Sequence, residues 1–148
     1  MSLWEWTLEA YGRPGVADAT LSLQDGHGQN TSLLLWAVWA EGPDAAALAR
    51  AVEITRAWDA TVLKPIRQVR RDLKPVFPGV DDGAREGLRD DIKGAELRAE
   101  RVLMEALAHL AGHEKGGTPA LAALRAASAA WGSPPPDEAL AILAGALR

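Results

Sequence analysis

Apolar residues recur along this chain at the three- and four-residue spacing of α-helices, and segments rich in Gly and Pro separate the apolar runs. Ser2 and Glu5 have the spacing of a capping box, which predicts a first helix that begins near Leu3. Pro65 marks either a kink or a new helix. The pattern predicts helices over about residues 3–11, 16–25, 31–40, 44–63, 65–73, 83–113, 119–131 and 137–147. We therefore expect an all-α fold of six to eight helices.

The third predicted helix, in the segment TSLLLWAVWA, is apolar on every side, which is typical of a central buried helix. Asn30 or Thr31 is suited to cap its first turn. Gly26 is suited to end the preceding helix, because glycine adopts the left-handed conformation without strain. A short apolar run can also form a strand, but no second run of similar character is present to pair with it.

The longest predicted helix, near residues 83–113, would span roughly 45 Å at ~1.5 Å per residue. Its apolar residues alternate at intervals of four and three, which predicts a stripe that faces the core. The residues of this stripe are Leu88, Ile92, Ala95, Ala99, Val102, Ala106 and Leu110. Leu97 and Met104 lie opposite the stripe, where another helix or another subunit would cover them. Short connections favour antiparallel neighbours, so we expect a single compact domain over residues 1–148, orthogonal or bundle-like.

The composition excludes several classes of protein. Cysteine is absent, which excludes disulfides, thiolate metal sites and cysteine nucleophiles. The longest apolar run, Leu33–Ala40, is too short to cross a bilayer, and Glu5 and Glu9 distinguish the start of the chain from a signal peptide. We therefore expect a cytoplasmic protein without membrane insertion, and no motif indicates a cofactor.

The charges are unevenly distributed along a chain whose net charge is −4. Residues 50–80 hold seven bases and three acids, and five of these bases fall on one flank of the helix over residues 64–74. These bases are Lys64, Arg67, Arg70, Arg71 and Lys74. The net acidity argues against general nucleic-acid binding, and no aromatic residue lies among the bases to stack on nucleotides.

Five bases on one flank repel each other unless negative charge faces them. One interpretation is an anionic ligand, such as a phosphate or carboxylate, or an unknown protein partner. The other is pairing with acids of the chain itself, such as Glu96 and Glu100 or the run Asp81, Asp82 and Glu86. Charged stripes are more often paired or solvated than ligand-binding, and both interpretations stay open at this point.

The segment LQDGHGQN, residues 23–30, is a second candidate for chemistry. Asp25 and His27 have the residue types of an acid–base pair, and Gln24 and Asn30 would supply orienting amides. The alternative is turn chemistry, in which Gly26 ends one helix and Asn30 caps the next. No nucleophile motif accompanies these residues, which favours the turn.

Glu105, His109 and His113 are spaced at intervals of four, so they share one face of the long helix. Two imidazoles and a carboxylate are a known set of metal ligands. Against this interpretation, the row ends where the helix ends, and histidines are stabilised there by the helix dipole. Neither the HExxH motif nor the Glu-x-x-His repeats of carboxylate-bridged bundles are present.

Three segments of the chain together resemble a known family: YGRPGVADATLSLQDGHGQNTSLLLWAVW, then ATVLKPIRQVRRDLK, then KGAELRAERVLMEAL. The sequence resembles an uncharacterised proteobacterial family of small helical proteins, catalogued as a domain of unknown function. The resemblance covers roughly residues 3–110, and its most specific part includes Pro65, Arg67 and Arg71. It implies a small cytoplasmic helical protein and implies no activity.

The sequence favours a non-enzymatic binding protein over the other functions considered. The expected site is a cleft between the 23–30 segment and the basic helix, where amides and guanidiniums converge on an anion. Its residues would be Gln24, Asp25, Asn30, Arg67, Arg70 and Arg71. The alternatives are a small enzyme that uses Asp25 and His27, and a homo-oligomeric scaffold that uses Leu97, Met104 and exposed Trp.

Overall fold

The structure, a computed structural model, describes residues 1–112 and 121–148. These residues form eight α-helices, one π-helical turn and no β-strand. The helices are α1 (Leu3–Tyr11), α2 (Val16–His27), α3 (Thr31–Trp39), α4 (Ala45–Trp58), α5 (Lys64–Asp72), α6 (Asp82–Leu110), α7 (Leu121–Trp131) and α8 (Asp137–Ala146), and the π-helical turn is Asp59–Leu63. The predicted all-α fold with one long helix is confirmed, and the predicted start of α7 at residue 119 lies outside the described residues.

The described chain forms two compact units. The first unit comprises Met1–Ile54 and Met104–Arg148, and the second comprises Thr55–Leu103. Both α4 and α6 therefore contribute residues to each unit. The single domain predicted over residues 1–148 stays a prediction.

Helix α3 is the core of the first unit. Every residue from Ser32 to Trp39 is buried, and the helix packs against α1, α2 and α7. Burial on all sides follows from its sequence, because α3 presents no polar face to water. The Asn30 side chain accepts a hydrogen bond from the Leu33 N–H at 2.9 Å, which confirms the predicted cap. The Ser2–Glu5 capping box of α1 is also present.

The end of α2 differs from the prediction. Gly26 lies inside the helix, and Gly28 is the left-handed residue, with φ of 63°. The following residue explains the difference, because the buried Gln29 amide donates hydrogen bonds to the carbonyls of Gly132 and Ser133. This contact with the segment before α8 anchors the chain reversal after Gly28, and a prediction from local sequence cannot anticipate it.

The buried side of α6 is not the predicted stripe. Leu88 is 50% exposed and Val102 is 43% exposed, whereas Arg85 and Glu96 are 5% and 8% exposed. The buried residues of α6 are Arg85, Glu96, Ala99, Leu103, Met104 and Leu107. Of the predicted stripe, Ala99 is buried, but the prediction was wrong for Leu88, Ala95 and Val102. It ranked positions by hydrophobicity alone, whereas charged side chains are buried when partners compensate their lost hydration.

Of the two residues expected opposite the stripe, Met104 is buried and Leu97 is exposed. Met104 is therefore covered within its own chain and does not require another subunit. None of the helices in residues 1–112 and 121–148 combines the length and the apolar character that crossing a bilayer requires.

Substitution of the two glycines near the end of α2 tests which of them ends the helix. Neither glycine has a neighbouring atom within 4 Å of an added Cβ, so backbone conformation alone decides the effect. We expect Gly26→Ala to raise the free energy of unfolding by about 0.5–1 kcal/mol, because alanine favours the helix. We expect Gly28→Ala to lower it by about 1–2 kcal/mol, because φ is positive there. Urea unfolding monitored by circular dichroism measures both, and the opposite order of the two variants would place the helix end at Gly26.

Candidate anion-binding groove

The π-helical turn brings Asp59 and Arg67 onto the same side of the chain. Pro65 has no N–H, and in a regular α-helix its ring would clash with the carbonyl of Thr61. In the π-helical turn the Lys64 N–H donates instead to the Asp59 carbonyl, five residues earlier. In a regular α-helix, eight residues of separation would leave the side chains of Asp59 and Arg67 about 80° apart around the helix axis. The extra residue of the π-helical turn removes most of this offset.

The Arg67 guanidinium is the centre of an ion network in the second unit. Its Nη1 lies 3.4 Å from Asp59 Oδ1, its Nε lies 3.2 Å from Glu96 Oε1, and its Nη2 lies 3.3 Å from Glu100 Oε1. One side chain thus joins the π-helical turn, α5 and α6. The fork of a guanidinium suits this role, because its donors point in fixed and different directions.

Two further cations complete the network. Arg70 Nη1 lies 2.6 Å from Glu96 Oε2, and Lys64 Nζ lies 3.5 Å from Asp59 Oδ2. Three cations therefore face three carboxylates. Asp59 and Glu96 are 7% and 8% exposed, so their ionised forms need these partners to offset the hydration they have lost.

Glu100 is the third carboxylate of the network and is half-buried. Burial raises the pKa of the Glu100 carboxyl above its ordinary value, because the loss of hydration outweighs the attraction of Arg67. Its negative neighbour Glu96 raises the pKa further, and Arg70 acts in the opposite direction.

Arginines of α6 hold the end of α5 in place. Arg85 Nη1 donates to the carbonyls of Leu73 and Lys74 at 2.6 and 3.0 Å. Arg89 Nε donates to the Arg70 carbonyl at 3.2 Å. The last carbonyls of a helix lack intrahelical partners and carry partial negative charge, so guanidiniums stabilise them.

A groove of about 600 Å³ opens between α5 and the first half of α6. Its lining residues are Arg70, Arg71, Lys74, Arg89, Lys93, Glu96, Leu97 and Glu100. Arg70 is committed to Glu96, and Lys93 lies 3.9 Å from Asp90. Within the part of the chain that the structure describes, Arg71, Lys74 and Arg89 have no carboxylate partner.

The structure thus divides the basic flank predicted from the sequence. Arg67 and Arg70 pair with acids of the chain itself, which was one of the two interpretations of the stripe. Arg71 and Lys74 line the groove instead. The α6 residues Arg89 and Lys93 were not predicted, although their spacing of four places them on one side of that helix.

The amide-bearing residues of the expected cleft belong to the first unit. Gln24 lies on the last turns of α2 and its carbonyl accepts from the Gly28 N–H, while Asn30 uses its side chain to cap α3. Asp25 is exposed near the end of α2. No hydrogen bond joins Asp25 and His27 within the described residues, and two residues at this spacing on a helix do not face each other.

The candidate metal set is only partly described. Glu105 and His109 lie four residues apart near the end of α6 and, with Trp39, line a pocket of about 280 Å³. His113 lies outside the described residues, so the three-residue set stays a prediction. No group of three or more possible metal ligands occurs in residues 1–112 and 121–148.

Removal of Arg67 tests whether the network supports the second unit. In Arg67→Met, Asp59 and Glu96 lose the cation they share, and we expect the free energy of unfolding to fall by about 3–5 kcal/mol. The matched control is Arg71→Met, an exposed position for which we expect a change within about 0.5 kcal/mol. Chemical denaturation of both variants measures the difference, and equal losses would show that the network does not stabilise the fold.

The raised pKa of Glu100 predicts a pH dependence of stability with a definite sign. An acid whose pKa is higher in the folded state favours folding when protonated, and this contribution is lost as pH rises through the folded-state pKa. Glu100→Gln keeps an acceptor for Arg67 and removes the titration. We expect the variant to be more stable than the parent at pH 7, with the advantage shrinking as pH falls toward 4.5. Thermal unfolding across this range measures the trend, and a constant difference would contradict it.

Comparison with known proteins agrees with the resemblance noted in the sequence. A family model described as "Protein of unknown function (DUF2390)" matches residues 2–107, which include the whole groove. No curated protein and no solved structure matches the chain. The family description states no activity and assigns no role to the groove residues. On this match, the chain belongs to the DUF2390 family of proteins of unknown function.

Proposed function

We propose that the protein is a non-enzymatic helical binding module whose groove receives an anionic ligand. One observation carries the proposal: Arg71, Lys74 and Arg89 line the groove, and none has a carboxylate partner within the described chain. Like charges gathered in a concave surface repel each other, and an anion that binds there relieves the repulsion. The groove is thus suited to attract negative charge.

The charge balance of the second unit supports the same conclusion. Residues 55–103 contain eleven bases and nine acids, although the whole chain has a net charge of −4. Of the two carboxylates in the groove, Glu96 has both oxygens committed to arginines. The negative charge at the groove is therefore largely neutralised already, and the remaining charge of the groove residues is positive.

The groove favours a small ligand with more than one negative charge. Its volume of about 600 Å³ lies within the range of roughly 300–1,000 Å³ that small-molecule sites occupy. Guanidiniums bind phosphate and carboxylate oxygens in pairs, and Arg71 and Arg89 come from opposite walls, α5 and α6. Leu97 offers one apolar contact beside them.

The two other functions considered from the sequence receive less support. The enzyme hypothesis requires Asp25 and His27 to meet, and their spacing on α2 turns them to different sides. The scaffold hypothesis used Leu97, which is exposed, and Met104, which is buried. The participation of Gln24, Asp25 and Asn30 in the ligand site stays a prediction, as does the cytoplasmic location.

Titration with inorganic pyrophosphate tests the proposal. In two-dimensional NMR spectra of the full chain, we expect amide shifts to concentrate in residues 70–74 and 89–97. The double variant Arg71→Glu/Lys74→Glu should weaken binding at least about tenfold, because two attractive charges become repulsive. Binding should also weaken steeply as salt is added.

A matched control separates the groove from the general charge of the protein. Arg50→Glu/Arg148→Glu changes the net charge by the same amount at exposed positions outside the groove. We expect it to leave pyrophosphate affinity within about twofold. No binding at low salt, or an equal loss in both double variants, would overturn the proposal.

A further inference from the structure

Helix α6 exposes an apolar row that no part of the described chain covers. Leu88, Ala95 and Val102 follow one another at intervals of seven, which places them on one side of the helix. Leu88 is 50% exposed, Val102 is 43% exposed, and Ala95 between them is also exposed. A heptad-spaced row of this kind is the pattern that packs against another helix.

This row is independent of the basic groove. At about 100° per residue, the groove residues Arg89, Lys93 and Leu97 lie on the side of α6 opposite to the row. An occupant of the row would therefore not enter the groove, and the inference does not rest on the proposed function.

Two glycines lie beside the row. Gly87 and Gly94 stand inside the helix, where glycine weakens helix formation, and an added Cβ would meet nothing within 4 Å at either position. Packing among the described residues thus gives no reason for glycine there. Glycine does permit the backbone of a second helix to approach closely.

Two charges on the same side have no ion-pair partner within the part of the chain that the structure describes. Asp91 and Arg98 are exposed, and neither forms an ion pair with any described residue. They are seven residues apart, so ~10 Å of helix separates them and they cannot pair with each other. Both are therefore available to charges on a partner.

We propose that this surface, defined by Leu88, Asp91, Ala95, Arg98 and Val102, docks a second copy of the chain in antiparallel orientation. With the two-fold axis at Ala95, Leu88 packs beside Val102 of the partner subunit. The same symmetry places Asp91 beside Arg98 of the partner subunit, and Arg98 beside Asp91 of the partner subunit. The surface is thus self-complementary in both shape and charge, as a two-fold interface requires.

A parallel pair does not satisfy the same charges. In parallel two-stranded packing, Asp91 and Arg98 would face the opposite flank of the apolar row on the partner helix. The residues on that flank are Arg89, Glu96 and Leu103. Glu96 and Leu103 are buried in their own chain, and Arg89 is bonded to the Arg70 carbonyl. The antiparallel arrangement is therefore the one that uses exposed residues alone.

Sedimentation equilibrium tests the proposal on the full chain. We expect a weak dimer over about 10 µM to 1 mM, because each protomer contributes only two large apolar side chains. Asp91→Arg and Arg98→Asp should each weaken dimerisation at least about tenfold, since each brings like charges together twice in the symmetric pair. A monomeric parent chain at the highest concentration, or variants that dimerise as well as the parent, would overturn the proposal.

Mixing the two variants provides the sharpest test. In a pair of Asp91→Arg with Arg98→Asp, both inter-subunit contacts join opposite charges, so the two variants should form a heterodimer although each fails alone. Cysteine crosslinking then reports orientation, because the chain has no cysteine. Leu88→Cys mixed with Val102→Cys should form a disulfide, whereas Leu88→Cys alone should not, since ~21 Å of helix separates the two copies of residue 88. Crosslinking of Leu88→Cys alone would indicate a parallel pair and contradict the proposal.

Discussion

The pairing of Arg67 with three carboxylates is the interaction on which the second unit depends. Asp59 and Glu96 are largely removed from water, and a buried carboxylate without a cation is strongly destabilising. Arg67 reaches both because the π-helical turn before Pro65 places Asp59 on its side of the chain. A local irregularity of the backbone, imposed by one proline, thus makes the central ion network possible.

The groove follows from how this network divides the basic residues. Lys64, Arg67 and Arg70 neutralise three internal carboxylates, and Arg85 and Arg89 donate to carbonyls at the end of α5. Arg71 and Lys74, which have no carboxylate partner within the described residues, lie on the walls of the groove. The internal ion network and the groove therefore draw largely on different members of one basic cluster, and Arg89 is shared by the end of α5 and the groove.

Helix α6 buries two charged side chains and exposes large apolar ones. Its side toward α5 carries Arg85, Arg89 and Glu96, whereas Leu88 and Val102 are exposed. The apolar periodicity that predicted a core stripe is present in the sequence, but Leu88 and Val102 of that stripe are exposed, while the charged Arg85 and Glu96 are buried. A second chain over the exposed row would explain why the periodicity is there, since helix contacts between subunits use the same spacing as contacts within a core.

The sequence by itself determined the helices, the central burial of α3 and the caps at Ser2 and Asn30, because these depend on neighbours within a few residues. It also located the basic cluster and named Glu96 and Glu100 as possible partners. Only the tertiary structure decided that Arg67 is internal while Arg71 lines a groove, and that Gly28 rather than Gly26 ends α2. Each of these outcomes depends on contacts between residues that are distant in the chain. Such contacts compensate buried polar groups for their lost hydration, and the hydrophobicity of the sequence does not reveal them.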